Sequence, residues 1–345
     1  MTMPEPAPAR KPARRFWLYA PYFVVLFAFV GWSAIWLTIR ATVAAQMTQA
    51  AATAESKGFT AHWSHLRIDG YPFRIEVTVD QPRLGEPSGW GLAAPQVKAI
   101  ANAYELNHWV VVASNGVTLT RPYAGATAIT GDALRASYVG QTEGPARIVI
   151  EGLNVRFAAA PGAKPFPLAR AARAALYTRP GPADRMEARA VLDDAWATPG
   201  TRFSDAVGQA SIAMIWQGVF TRVSAFHGAD APAATRAWAA AGGTITPVVG
   251  GLGAGPRSLG LYGSGLTLDP DGRLKGTLSV VLRGGGDAIR ALGADHTFDP
   301  FAAIVAGGLV DLAADKDGKA RVNLTFQDGQ TRLGPVTIAP SPRPF

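Results

Sequence analysis

The sequence predicts a β-rich fold of the α+β kind: a curved, mainly antiparallel sheet with a few short covering helices, preceded by one N-terminal transmembrane helix. Three observations carry this. An apolar run of twenty-four residues without Asp, Glu, Lys or Arg lies near the N-terminus, stretches of period-two apolar alternation recur beyond it, and 38 Gly and 26 Pro supply turns between them. The 48% hydrophobic and 17% charged content exclude a disordered chain, and 345 residues bury a sizeable core without staples.

The apolar run covers residues 16–39. At helical rise it is about 36 Å long, enough to cross a hydrocarbon core of about 30 Å with some tilt. Arg10, Lys11, Arg14 and Arg15 crowd its N-terminal side, whereas only Arg40 follows closely on the other. This asymmetry places the N-terminus in the cytoplasm, with residues 1–15 as a disordered basic leader. A cleaved signal peptide is the rival, but its apolar core is normally about 7 to 15 residues. Retention as an anchor is therefore expected, and the bilayer is the first expected partner. In a bacterium with two membranes this is a single-pass inner-membrane protein with its main domain in the periplasm. Residues 40–57 continue outward as a helical stalk that Gly58 terminates.

Residues 58–345 form the β-rich domain. Phe73, Ile75, Val77 and Val79 alternate with Arg74, Glu76, Thr78 and Asp80, the pattern of a half-solvated antiparallel strand. Similar alternation marks Leu153, Val155 and Phe157; Leu274, Leu278, Val280 and Leu282; Val322, Leu324 and Phe326; and Leu333, Val336 and Ile338, with an irregularity at Gly334-Pro335. Turn chemistry falls at Asn115-Gly116, Asp269-Pro270-Asp271-Gly272, Asp317-Gly318 and Asp328-Gly329. Short helices are predicted over 232–241, 287–292 with Asp287 as N-cap, and 300–314, the last able to cover one sheet face. The Ala, Pro and Arg-rich segment 161–182 is the candidate join between two lobes, with a short strand at 174–178.

A formal charge of +8 suggests nucleic acid until the charges are located. Arg10, Lys11, Arg14, Arg15 and Arg40 flank the anchor with only Glu5 against them, which leaves 28 basic and 24 acidic residues beyond Arg40. So weak an excess, without a block of like charge, excludes a phosphate-tracking surface. No nucleic-acid partner is expected. The absence of cysteine rules out disulfides, thiolate nucleophiles and Cys-ligated metals.

Catalytic motifs are weak throughout. His62 and His65 stand three apart, which on a strand sends them to opposite faces, and His108, His227 and His296 are scattered. Residues 250–255 read GGLGAG, but no helix follows to present free N–H groups to a phosphate, so a flexible loop is expected. Ser264 lacks the nucleophile-elbow context, and Asp193-Asp194 and Asp315 with Asp317 fit solvated acids. No metal, cofactor or catalytic residue is expected.

The most distinctive residues are structural. Gly70-Tyr71-Pro72-Phe73-Arg74, then Gln81-Pro82-Arg83-Leu84, residues 90–97 and Asn107-His108-Trp109 resemble the start of the domain of unknown function 2125 family of bacterial envelope proteins. Residues 238–243 (WAAAGG), 268–274 (LDPDGRL), Phe326-Gln327-Asp328-Gly329 and Leu333-Gly334-Pro335 continue the resemblance in the same order, over roughly 59–344. It implies an anchored, β-rich periplasmic domain without assigned activity. The layout is also similar to AsmA-like envelope proteins, in which a curved sheet offers an apolar trough to lipid, a likeness of architecture alone. In the Gly-Tyr-Pro-Phe motif, Pro72 fixes φ at a strand start, Gly70 frees the preceding bend, and Tyr71 and Phe73 fall on one strand face.

The function expected is non-catalytic: an inner-membrane-anchored periplasmic protein that binds a lipid or other apolar ligand on its sheet. Two rivals stand beside it. One is a scaffold that binds an envelope protein partner; the other is a hydrolase assembled from distant residues such as His62, His108 and an Asp.

Overall fold

The structure, a computed structural model, describes residues 16–141, 144–294 and 298–343. The apolar run and the stalk form one unbroken helix, α1 (Phe16–Ser56), 41 residues long, and Gly58 follows it at φ +83°. Among the described residues it is the one helix long and apolar enough to cross a membrane. The leader residues Arg10, Lys11, Arg14 and Arg15 lie outside the described residues.

The helix that includes the stalk docks on the sheet over part of its length. From Trp32 to Met47 one flank of α1 packs on the sheet, and Trp36, only 5% exposed, is buried with Ile68, Ile75, Val77 and Val79. The opposite flank stays exposed at Phe27, Val30, Ile35 and Leu37. A helix that is apolar all round carries no stripe to mark which side will be covered.

The body begins with five interrupted strands. β1 (Thr60–His62) leads into β2 (His65–Asp69), β3 (Arg74–Asp80) into β4 (Arg83–Gly85), and β5 (Gly91–Ala93) into β6 (Gln96–Asn102). β7 (Glu105–Val112) likewise leads into β8 (Val117–Arg121), and β9 (Gly125–Thr130) into β10 (Ala133–Val139). Each half pairs with the matching half of the next strand, β2 with β3 and β1 with β4, through to β10 and β9, which both pair with β11 (Arg147–Ala159).

The interruptions line up as a crease across the sheet. Backbone bonds bridge it from Ser64 N–H to Asp80 at 3.0 Å, from Gln81 to Pro95 at 2.9 Å, and from Asp132 to Leu153 at 3.0 Å. Gln81 (φ 51°) and Asn154 (φ 49°) adopt left-handed conformations along it, as does Asp194 (φ 45°) farther on. The predicted turn at Asn115-Gly116 is part of this crease and reverses nothing: β7 and β8 do not pair with each other.

The meander continues through β12 (Leu168–Gly181), β13 (Arg185–Ala197), α2 (Arg202–Val207), β14 (Ile212–Thr221), α3 (Ala231–Ala240), β15 (Ile245–Ala254), β16 (Arg257–Leu268) and β17 (Leu274–Arg283). It closes with α4 (Gly285–Ala294), α5 (Pro300–Leu312), β18 (Lys319–Gln327), β19 (Gln330–Leu333) and β20 (Val336–Pro340). From β11 to β20 each strand pairs antiparallel with the next, so the whole is one open antiparallel sheet without a crossover.

Several expectations are corrected here. Segment 161–182, the candidate join, contains β12, a fourteen-residue strand paired on both edges that includes and extends the short strand expected at 174–178. The GGLGAG loop is largely β15, and Gly334-Pro335 is the turn of the β19–β20 hairpin. Asp287 stands in the first turn of α4, which begins at Gly285, while Asp299 caps α5 by accepting from the Ala302 N–H. Residues 70–73 form a turn rather than a strand start, because β3 begins at Arg74.

One face of the sheet is apolar. Ile150, Leu176, Ala190, Trp216, Gly250 and Leu261 are successive cross-strand partners and therefore share it. Three cores lie on this face, under α1, under α2 and under α4 with α5. The other face is polar: Arg135, Glu151, Arg173 and Asp193 bridge four neighbouring strands as a ladder of ion pairs.

Candidate functional site

The helices do not cover the apolar face completely. Between α1 and α4 the face is left bare at Ile150 and Leu176, exposed by 48% and 38%. Between α2 and α4 it opens into a cleft of about 470 Å³, within the range of about 300 to 1,000 Å³ typical of ligand pockets. Phe203 and Val207 line it from α2, Leu259 and Leu282 from the sheet, and Ile289 and Leu292 from α4. Its charged residues are Arg202, Arg257 and Arg283. Arg257 donates to the carbonyl of Ala206 at 2.8 Å and Arg283 to that of Asp317 at 3.1 Å, so these guanidiniums hold neighbouring backbone in place.

Local sequence builds both walls. Thr201 caps α2 by accepting from the Ser204 N–H, which turns Val207 onto the sheet. Glycines let α4 approach α5: a Cβ on Gly293 would stand 2.2 Å from that of Ala303, and one on Gly286 2.1 Å from the Asp311 carboxylate. Arg290 then bonds both Asp287, at 2.6 Å, and Asp311, at 2.8 Å. Its guanidinium holds the Asp287 carboxyl below the usual aspartate value. Gly250 leaves room on the apolar face for Leu261, whose Cγ would be 3.1 Å from an added Cβ.

The Gly70-Tyr71-Pro72-Phe73-Arg74 motif lies elsewhere, at the joint between sheet and α1. Trp32 donates its indole N–H to the Pro72 carbonyl at 2.8 Å, and the Ser33 and Tyr71 hydroxyls bond at 2.8 Å. Trp36 donates to the Arg74 carbonyl at 2.9 Å, and its ring meets Tyr71 edge-on at 5.4 Å. Gly70 is required because φ is +102° and a Cβ would lie 2.8 Å from the Arg74 carbonyl oxygen.

The remaining motifs serve the scaffold. Asp269 accepts from the Arg273 N–H, and the Arg273 guanidinium holds the Ser341 carbonyl at 3.0 Å, so the DPDG turn secures the C-terminal strand end beside a polar cleft of about 900 Å³. Trp238 packs on Gly243 and donates to the Thr221 carbonyl at 2.7 Å. His108 bonds Ser137 at 3.2 Å across β7 and β10, while His62 stands on β1, which pairs with neither. His296 lies outside the described residues. Asp194 bonds Ser211, and Asp315 holds the N–H groups of Asp317 and Lys319 in a turn. No group of three metal-ligating side chains occurs among the described residues.

The cleft residues were legible as an alternating strand position at Leu282 and as part of the short helix predicted over 287–292, not as a site. Helix α2 went unpredicted, although Pro199-Gly200-Thr201 before an apolar segment is a capping signal.

No curated relative and no solved structure matches this chain. One family does match, described as an uncharacterized protein conserved in bacteria (DUF2125), over residues 36–342, from Trp36 at the helix joint to just beyond the last strand. The chain belongs to this family.

Proposed function

We propose that the protein is a non-catalytic, membrane-anchored domain of the bacterial envelope that holds the acyl chain of a lipid, or a similar apolar ligand, on the uncovered part of its sheet. The observation that carries this reading is the apolar cleft between α2 and α4, walled by Phe203, Leu259, Leu282 and Ile289. An aliphatic chain in such a cleft gains about 25 cal/mol per Å² of apolar surface removed from water. The basic residues Arg10, Lys11, Arg14 and Arg15 before α1 favour a cytoplasmic N-terminus and a sheet on the periplasmic side of an inner membrane.

Native mass spectrometry of the full chain, released from gentle detergent, tests the ligand. The expected result is a retained lipid-sized adduct that Ala288→Trp, which fills the cleft, abolishes without altering circular dichroism. A wild-type chain without any adduct contradicts the reading. A phosphatase fused to the C-terminus tests the orientation: activity is expected, and an inactive, stably produced fusion contradicts it.

A second reading, an envelope scaffold, is favoured by α5. Its inner side, with Ala303, Ala306 and Val310, packs on the sheet, yet Phe301, Ile304 and Leu312 are exposed by 77%, 62% and 84%. Such an apolar stripe suits a protein partner. A photoreactive residue at position 304 crosslinked in the intact envelope should capture one defined protein if this reading holds.

A further inference from the structure

The turn at residues 70–73 is held at one height on α1 by Trp32, Ser33 and Trp36. Trp36 stands twenty residues beyond Phe16, a helical distance of about 30 Å, which equals the thickness of the hydrocarbon core. On the flank of α1 away from the sheet, Val30, Ile35 and Leu37 are each more than half exposed, and Arg40 is the first charged residue of the helix. A bilayer that covers Ile35 and Leu37 therefore reaches the level at which the other flank holds the turn.

The turn itself carries partly exposed aromatic rings. Tyr71 is 43% exposed and Phe73 66%. The adjoining turn between β6 and β7 adds Tyr104, 71% exposed, and is tied to the first by a bond from the Ala103 N–H to the Phe73 carbonyl at 2.9 Å.

We propose that Tyr71, Phe73 and Tyr104 form a second membrane contact, an aromatic foot seated in the interfacial zone of the leaflet from which α1 emerges. The Tyr71 and Tyr104 rings, each with an apolar body and a polar tip, are at their most favourable there, and Phe73 adds apolar ring surface. The foot fixes the sheet against the membrane rather than leaving it on a swinging tether. The inference rests on α1 being an anchor and does not depend on any ligand in the cleft.

Because the chain has no cysteine, single-cysteine variants report one position each. Full-length Phe73→Cys, Tyr104→Cys, Leu26→Cys and Tyr123→Cys are labelled with a small fluorophore in phosphatidylcholine–phosphatidylglycerol liposomes. Tyr123 is 98% exposed in the β8–β9 turn, at the other end of the strands, and serves as the aqueous reference. Lipids with a nitroxide at the headgroup or deep in the acyl chain act as quenchers. Headgroup nitroxide is expected to quench positions 73 and 104 about twofold or more over position 123, while acyl nitroxide quenches position 26. Quenching at 26 with 73 and 104 equal to 123 overturns the foot and leaves the anchor. No lipid quenching at 26 removes the anchor, and the foot with it.

Discussion

Trp36 and Arg74 are joined by a hydrogen bond from the indole N–H to the backbone carbonyl, 2.9 Å long, at the point where the apolar helix meets the first strand that is paired on both edges. Trp36→Ala should cost about 3 to 5 kcal/mol, since it empties a core site as well as breaking the bond. Trp36→Phe keeps most of the apolar contact and should cost about 1 to 3 kcal/mol, the penalty of losing a buried partner. Denaturant unfolding of the full chain in detergent micelles checks both, and limited proteolysis should find new cleavage between Arg40 and Lys57 in the alanine variant.

Gly70 is predicted to be intolerant of a side chain. At φ +102° with the Arg74 carbonyl 2.8 Å from an added Cβ, Gly70→Ala is strained in conformation and in space. Strain of this kind costs about 1 to 3 kcal/mol. Gly260→Ala provides the comparison, because nothing lies within 4 Å of its added Cβ, and its effect should stay within about 0.5 kcal/mol. Equal melting temperatures for the two variants would remove the steric explanation of the motif.

Acid should weaken the polar face. Hydrogen bonds from Arg135 and then Arg173 hold the Glu151 carboxyl below the usual glutamate value. A depressed folded pKa means that its stabilisation is present above the unfolded value of about 4.3 and disappears as pH falls through the folded value. Glu151→Gln should therefore lower Tm at neutral pH and flatten the fall in Tm between about pH 5 and pH 3. A variant whose Tm follows the wild type across that window would show that the ladder is energetically idle.

Much of this fold is written locally. The alternation from Ile75 to Val79 marks β3, and Asp328-Gly329, both at positive φ, mark a hairpin that the β18–β19 pairing realises. Other elements depend on distant neighbours. β12 carries Ala169, Ala171, Ala172, Ala174 and Ala175, a composition without β propensity, and it is a strand because β11 and β13 satisfy its backbone on both sides. Asn115-Gly116 has the chemistry of a reversal, yet the strands on either side break at the same level and make it a crease.

The site was less legible than the fold, for a physical reason. Leu259 and Leu282 look like core positions in the sequence, and they line a cleft only because the covering helices α2 and α4 leave space above them. No local pattern encodes a missing cover. The Gly-Tyr-Pro-Phe motif was visible as a bend at Gly70 leading into a strand, but its partner is a helix more than thirty residues upstream whose apolar surface is uniform.

The central claim, that the apolar face and not the polar one takes an acyl chain, is tested most directly by a photoreactive residue placed at Leu259 or at Tyr262. These neighbours on β16 lie on opposite faces, Leu259 in the cleft and Tyr262 exposed by 57% on the other side. After irradiation of intact cells, a lipid adduct at position 259 and none at 262 is the predicted result. Adducts of equal yield at both positions, or at 262 alone, would contradict it.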